Sequence, residues 1–530
     1  MGSISLTDIR DVIVSSILFI LSYPPSPLGF LAYFAFIPLI NLAGKKTPLT
    51  MTGLSYLTGL AVNLIGLSWI IPYSFPKWML LATLNASQFA VLGWWLSLGF
   101  LYLGNRHILF LPFFWTGFEY IRGLGDLAFN WLDISNTQTN FLYIIQMSDI
   151  GGSNLIVFWI CLLNILFWFG WRSRYRIIAA SGYITVIVVL LIVPLLYGYL
   201  AIQSPESGAG LRVRLFQPNT DPVIKWDPDQ QQEIFSDLVS WTRAVQENDP
   251  ADLLVWPETA IPFEIRNSSR DLARLNEFRV PLITGGLDFS YHYGHKHRHN
   301  AVFAFCPASD SLEVYHKLRP VPFEEVIPYQ RFFPWLQQQS VYDRFLSSGQ
   351  IAEPLQVRIR PVRIRKSEKW WRTEGPDLGG MQIIRIGPSI CFETAFHEPA
   401  GKMVRNGADI HLVVTNDAWF GYSMQPFQHL NMAILRAVET RRSVLFCANS
   451  GFSAFIDYTG RTADRTKLFK RAAISNLVPI NYSTSFYLRY GDWVALCCLL
   501  AMLYWSFLFT RGIHRRHLDQ TERQKLEPNL

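Results

Sequence analysis

Apolar residues form long runs over the first 200 positions, then give way to short alternating and helical patterns, so two physical regimes share one chain. Runs near 11–22, 28–42, 51–71, 78–103, 108–120, 152–171, 177–200 and 493–509 predict eight apolar helices, seven before a polar stretch and one after it. A bilayer crossing needs roughly 20 apolar residues, within about 17 to 25. The first, second and fifth runs are short by that measure. The first has a thin basic flank, no small-residue cleavage pattern and further apolar runs behind it, so it reads as a retained segment and not as a signal peptide.

From Leu211 the register changes. LRVRLFQPN alternates like a strand, DQQQEIFSDLVSWTRAVQE has the period of an amphipathic helix, and ADLLVWPET reads as a buried strand. MQIIRIGPSICFE, ADIHLVVTND and SVLFCANSGFSAFID predict further strands, and Leu430, Ile434, Ala437 and Val438 mark one face of a helix between the last two. Strands alternating with helices predict an α/β layered domain.

Composition supports the division. Half of the 530 residues are hydrophobic and 16% are charged, and the charges are sparse before Leu200 and frequent from Arg212 to Arg471. The predicted organisation is an N-terminal transmembrane domain at 1–205, a soluble domain at 206–488, a last transmembrane helix at 489–512 and a tail at 513–530. Basic residues beside spans stay on the cytoplasmic side. Lys45 and Lys46, Arg106, the group Arg172, Arg174 and Arg176, and the group Arg511, Arg515 and Arg516 all fall on one face when the eight runs alternate. Both termini are then cytoplasmic and the soluble domain lies outside, in the periplasm of a diderm bacterium. The net charge of +7 thus partly records topology and calls for no nucleic acid.

Three residues stand at apparent strand ends with complementary chemistry: Glu258 in LLVWPETAIP, Lys317 in EVYHKLRPVPFEEVIP and Cys391 in IGPSICFETAF. A thiol with pKa near 8.5 is only a few per cent thiolate at pH 7, so a nucleophilic cysteine needs a base or a cation beside it. Glu258 suits the general base, Lys317 suits a group that holds the carboxylate and stabilises an oxyanion, and the amide of Phe392 suits an oxyanion hole. Taken singly, the residues read as a capping glutamate, a surface lysine and a buried cysteine; the three contexts together favour catalysis. The chain has no G-x-S-x-G, H-E-x-x-H or Walker A sequence, which counts against serine hydrolase, zincin and nucleotide-driven readings. His292, His295, His297 and His299 fit an exposed hairpin tip better than a metal site, and no cofactor is implied. Cys306, Cys391 and Cys447 form an odd set outside the apolar runs, which leaves one thiol free and makes a Cys306–Cys447 bridge possible. Glu119 and Arg122, three apart near a span end, predict a structural ion pair.

WPET, HKLRPVPFEEVIP and ICFE resemble the three blocks of the nitrilase superfamily, whose fold is an αββα sandwich with a glutamate, lysine and cysteine triad. TNDAWFG from Thr415, QHLNMAILRAVETRR from Gln428, ANSGFSAFID from Ala448, PFFWTGFEYIRG from Pro112 and IIQMSDIGGSN from Ile144 resemble its membrane branch, the apolipoprotein N-acyltransferases. The likeness runs from about Tyr23 to Trp505. It implies a sandwich domain inserted between the seventh and eighth helices of an eight-helix transmembrane domain. It further implies an inner-membrane enzyme that moves a fatty acyl chain from a phospholipid, typically phosphatidylethanolamine, to the α-amino group of an apolipoprotein's diacylglyceryl-cysteine through a thioester on Cys391. By this resemblance Glu325 is a second essential glutamate, Trp226 a substrate-site tryptophan, and Glu393 the glutamate two places after the nucleophile; Trp226, Phe392 and Glu393 are the expected substrate contacts. Departures are Glu324 where the family usually has glycine, which leaves Glu324 as the alternative to Glu325, Phe392 in place of tyrosine, and Pro218 in place of glycine. VRIRPVRIRKSEKWWR from Val357 reads as an insertion that either rests on anionic headgroups or forms a solvated hairpin.

An α-amino acceptor is chemically apt, because its pKa of about 7.7 to 8.0 leaves far more free amine than a lysine near 10.4. The expected protein is a monomer. The rivals are a membrane-tethered amidase using the same triad on a small C–N substrate, and a catalytically idle transport or scaffold protein.

Overall fold

The computed structural model describes residues 4–203, 207–292, 295–307, 312–329, 332, 346–367, 370–377 and 380–526. The expected domain boundary at 205–206 and the last four residues of the tail lie outside the described residues. The chain forms two compact units, one of Met1–Arg122, Leu132–Gly198 and Asp492–Leu530, the other of Gly123–Trp131 and Tyr199–Gly491.

The first unit is helical. Its main helices are Leu6–Ser22, Ile37–Ala43, Pro48–Gly66, Phe75–Leu103, Leu111–Arg122, Ser148–Arg172, Ile177–Ile202 and Trp493–Leu526. Local chemistry sets several starts: Ser5 and Asp8 form a capping box, while Thr47 caps the helix that opens with Pro48. Among the described residues five segments are long and apolar enough to cross a bilayer: Pro48–Gly66, Phe75–Arg122, Ser148–Arg172, Ile177–Ile202 and Trp493–His514. The three runs noted as short are those that do not make separate long helices; the fifth follows Phe75–Leu103 through Gly104, whose φ of +68° breaks the helix. Gly93 lets Pro48–Gly66 and Phe75–Leu103 approach closely, since a Cβ there would lie 2.4 Å from Ser55 Oγ and 2.5 Å from the Met51 carbonyl oxygen. The predicted Glu119–Arg122 pair is corrected: Arg122 pairs with Asp133, while Glu119 Oε1 accepts from Trp115 Nε1 at 2.9 Å and from the Ile134 amide at 3.2 Å.

The second unit is a two-sheet α/β sandwich. Its strands are β1 Ser207–Gln217, β2 Leu253–Val255, β3 Leu282–His292, β4 His295–Phe305, β5 Glu313–His316, β6 Leu355–Ile359, β7 Val362–Lys366, β8 Trp371–Asp377, β9 Gln382–Ile390, β10 Ile410–Thr415, β11 Val444–Ala448, β12 Ala454–Ile456, β13 Thr462–Ala463 and β14 Ala472–Pro479. One sheet runs β5-β4-β3-β2-β1-β7-β8 with β14 also on β1; the other runs β13-β12-β11-β10-β9-β6. β2 is parallel to β1 and β3, and β10 is parallel to β9 and β11.

Period-two alternation sorts the side chains into layers. Val213, Leu215, Leu253 and Val255 from the first sheet share a core with Ile384, Ile386, Leu412, Val414 and Leu445 from the second. On the opposite face of the first sheet, Phe216, Leu254 and Trp256 pack with Phe235, Leu238 and Val239 of helix Gln231–Asn248 and Leu275 of helix Ser269–Asn276. Helices His397–Arg405 and Gln425–Thr440 pack on β9 and β11, completing an αββα order. The arginine-rich stretch is more than a lone hairpin: β6 joins one sheet, β7 and β8 join the other, and Arg358, Arg360, Arg363 and Arg365 are exposed. Its residues Glu368 and Lys369 lie outside the described set.

Candidate active site

Strand ends bring the three predicted groups together. Glu258 follows β2, Lys317 follows β5 directly and Cys391 follows β9 directly. Pairing of β5 with β4 continues one step past the strand, where the Lys317 amide donates to the Asn300 carbonyl at 2.9 Å, so lysine and asparagine emerge side by side. Gly285 of β3 permits the close pass of the Glu258 backbone, because a Cβ there would meet Glu258 Cα at 2.6 Å. Cys391 has φ of +52°, a left-handed conformation that costs an L-residue about 1 kcal/mol or more and here turns the chain sharply at the strand end.

Glu258 and Lys317 are buried, at 8% and 2% exposure, and Cys391 is partly exposed. Asn300 Nδ2 donates to Glu258 Oε1 at 2.7 Å and stands 3.4 Å from Glu325 Oε1. Lys317 Nζ donates to Glu325 at 2.9 Å to Oε1 and 2.8 Å to Oε2, and the Val321 amide donates to Glu325 Oε2 at 2.7 Å. Glu325 is therefore the glutamate on the lysine. Lys225, not noticed in the sequence, is buried with Nζ donating to the Glu258 carbonyl at 3.2 Å and to Thr259 Oγ1.

Electrostatics follow from this packing. Burial raises the Glu258 carboxyl above its ordinary 4.5; Lys317 opposes the rise, Glu325 adds to it, and Asn300 and Lys225 oppose it further. Burial works against the Lys317 charge, but Glu325, Glu258 and Cys391 outweigh it and hold the ammonium well above the usual lysine range. Burial and then the Glu258 anion push the Cys391 thiol up, against the pull of Lys317. Burial and Glu258 thus favour the protonated thiol, the arrangement that calls for proton removal during attack.

The remaining expected residues fall in distinct places. Phe392 is buried against Phe129, Trp131 and Phe396, with ring centroids 5.8, 6.4 and 5.1 Å away. It lines a cavity of about 160 Å³ with Gly125, Ala128, Leu318 and Pro322, in which residues 123–131 supply part of the wall. Trp226 is 38% exposed at the end of the short helix Pro222–Lys225. Glu393 is 1% exposed: Oε1 accepts from the Leu318 and Arg319 amides at 2.6 and 3.0 Å, Oε2 from the Ile390 amide at 2.7 Å, and the Tyr315 hydroxyl donates to both. That carboxylate ties the segment after Lys317 to the turn that carries Cys391.

Sequence reading missed Asn300, Lys225, Thr415, Asp417 and His429. Asn300 sits beside the histidine run, where the histidines draw attention away from it. The run does lie on the β3–β4 hairpin, but His299 is buried, stacked on His316 at 4.1 Å and bonded to Ser290; residues 293–294 lie outside the described set. Among the described residues no three or more His, Cys, Asp or Glu side chains are arranged to hold a metal. Cys306 and Cys447 are both free, and Cys447 Sγ faces the Phe216 carbonyl at 3.4 Å, so the possible bridge is not made.

The Apolipoprotein N-acyltransferase N-terminal domain family matches residues 15–166, and the Carbon-nitrogen hydrolase family matches residues 212–481. The chain is 30% identical to the apolipoprotein N-acyltransferase of Geobacter metallireducens, over 93% of each chain. It is 30% identical to that of Chlorobaculum tepidum, over 92% of this chain and 93% of the relative, and 29% identical to that of Thermotoga maritima, over 91% and 90%. With both halves matched and near full-length coverage, the chain belongs to the apolipoprotein N-acyltransferase family.

Proposed function

We propose that this protein transfers a fatty acyl chain from a phospholipid, typically phosphatidylethanolamine, to the α-amino group of an apolipoprotein's diacylglyceryl-cysteine, with Cys391 as the covalent carrier. The observation that carries the reading is the convergence of a thiol, a buried carboxyl group and a buried amine at Cys391, Glu258 and Lys317, in a chain of this family.

Glu258 takes the proton of Cys391 Sγ as sulfur attacks the donor's ester carbonyl, and the Lys317 ammonium offsets the oxyanion that forms. Collapse breaks the ester C–O bond, the proton on Glu258 passes to the departing glycerol oxygen, and a lysophospholipid leaves. The acceptor amine then attacks the thioester, Glu258 takes an amine proton, the C–S bond breaks, and that proton returns to sulfur. Asn300 and Lys225 hold the base, Glu325 orients Lys317, and Glu393 positions the Cys391 turn. Phe392 and the cavity it lines exclude water while the thioester waits, and Trp226 meets substrate at the rim.

In this reading the enzyme is an inner-membrane monomer that crosses the bilayer eight times, with 206–488 in the periplasm and both termini in the cytoplasm. The test supplies purified full-length protein with phosphatidylethanolamine and a diacylglyceryl-cysteine peptide. N-acylated peptide is the expected product. Turnover of a small soluble amide, with no acylated peptide, would replace the proposal with the tethered amidase.

A further inference from the structure

A closed ring of contacts begins and ends on Cys391. Thr415, the last residue of β10, stands beside Cys391 one step past the Ile390–Val414 pair of the parallel strands β9 and β10, where its side chain hydrogen-bonds the thiol. The same hydroxyl donates to Asp417 Oδ1 at 2.9 Å. Asp417 Oδ1 also accepts from Gln425 Nε2 at 2.9 Å and meets His429 Nδ1 at 3.1 Å. The far side of that imidazole returns to the nucleophile, with Nε2 3.0 Å from the Cys391 carbonyl oxygen.

The members of the ring that support Cys391 are buried: Thr415 and His429 at 0% and Asp417 at 1% exposure. The two ring nitrogens of His429 thus bridge the Asp417 carboxylate and the backbone of Cys391. Burial alone would raise the Asp417 carboxyl; His429, Gln425 and Thr415 outweigh it and keep the group below its ordinary range, as a carboxylate. Gln425 and His429 lie on one helix, Gln425–Thr440, and Asp417 in the turn that follows β10, so the ring ties the strained residue to two rigid elements.

The cost of a left-handed cysteine persists only where its surroundings over-determine it. Here the side chain and the backbone carbonyl of that one residue are fixed through one carboxylate oxygen. We propose that Asp417 is a positioning residue for Cys391, setting the thiol through Thr415 and the turn through His429. The proposal rests on Cys391 being the nucleophile.

The test uses the full-length protein in detergent and two rates. One is alkylation of Cys391 by iodoacetamide, which needs no lipid; the other is acyl-enzyme formation from phosphatidylethanolamine. Thr415→Val keeps the shape and removes the hydroxyl, Thr415→Ser keeps the hydroxyl, and Asp417→Asn removes the charge. Misplacing a reacting group by about 1 Å costs up to about 100-fold, so Thr415→Val and Asp417→Asn should each lose about tenfold or more in both rates, with the lipid KM unchanged. Thr415→Ser should stay within about threefold of the parent, a rescue that general destabilisation would not produce. Parent rates in Thr415→Val and Asp417→Asn, or an equal loss in Thr415→Ser and Thr415→Val, would overturn the proposal. A parent protein that alkylates at Cys391 but never forms the thioester would instead defeat the acyl-transfer reading, leaving the alkylation series to decide the positioning role.

Discussion

Asn300 Nδ2 donates a 2.7 Å hydrogen bond to Glu258 Oε1, linking the middle of one strand to the carboxylate beyond the end of another. A buried carboxylate needs donors to stay charged, and this amide supplies one from a rigid position. Because the bond favours the anion, its loss should raise the Glu258 pKa further. Asn300→Ala should slow acyl-enzyme formation by about ten- to a hundredfold and move the acid limb of its pH profile upward, since a base with a higher pKa is already protonated at higher pH. An acid limb that stays in place would remove Asn300 from that role.

Buried Lys317 and half-buried Glu325 form a pair with both carboxylate oxygens on one ammonium. Glu325→Gln removes the carboxylate bonded to Lys317 and weakens the hold on its position, with an expected rate loss of about a hundredfold, comparable to losing an oxyanion donor. The double variant Lys317→Met/Glu325→Gln should lose much less than the product of the two single losses, because both changes disable one unit. Fully multiplicative losses would show that the two act separately.

Lys225 gives a linkage test. Burial lowers its pKa from 10.5 to about 8, with Glu258 opposing. Between those two pH values the unfolded chain holds a proton that the folded chain has released, so this group makes stability rise with pH across the window. Lys225→Met removes the dependence. The melting temperature of the variant minus that of the parent should therefore fall steadily from pH 8 to pH 10.5; a flat difference would contradict the burial of that ammonium.

Gly285 has no room for a side chain where the Glu258 backbone passes. Gly285→Ala should cost about 1–3 kcal/mol of stability and displace the general base, lowering kcat more than it raises KM. Thermal melts and initial rates on the same sample measure both effects.

Much of this site was legible as sequence because its reacting groups stand just past short strands: LLVWP precedes Glu258, EVYH precedes Lys317 and GPSI precedes Cys391. The groups that support them were not. Asn300 lies inside a strand, and only the pairing of β4 with β5 shows that it reaches Glu258. Asp417 and His429 sit in stretches that resemble the family, yet their meeting on Cys391 depends on how a turn and a helix pack on the sheet. The short apolar runs were harder to read for another reason: the run at 28–42 breaks between Gly29–Tyr33 and Ile37–Ala43 at Phe34, Ala35 and Phe36, with no change in hydropathy to mark where one helix stops.

The most direct measurement is the intact mass of the full-length protein after incubation with phosphatidylethanolamine and no acceptor. The account predicts a gain of one fatty-acyl group, mapped to the peptide that contains Cys391, absent in Cys391→Ala and discharged when a diacylglyceryl-cysteine peptide is added. An unchanged mass in a preparation that still acylates the acceptor would contradict it.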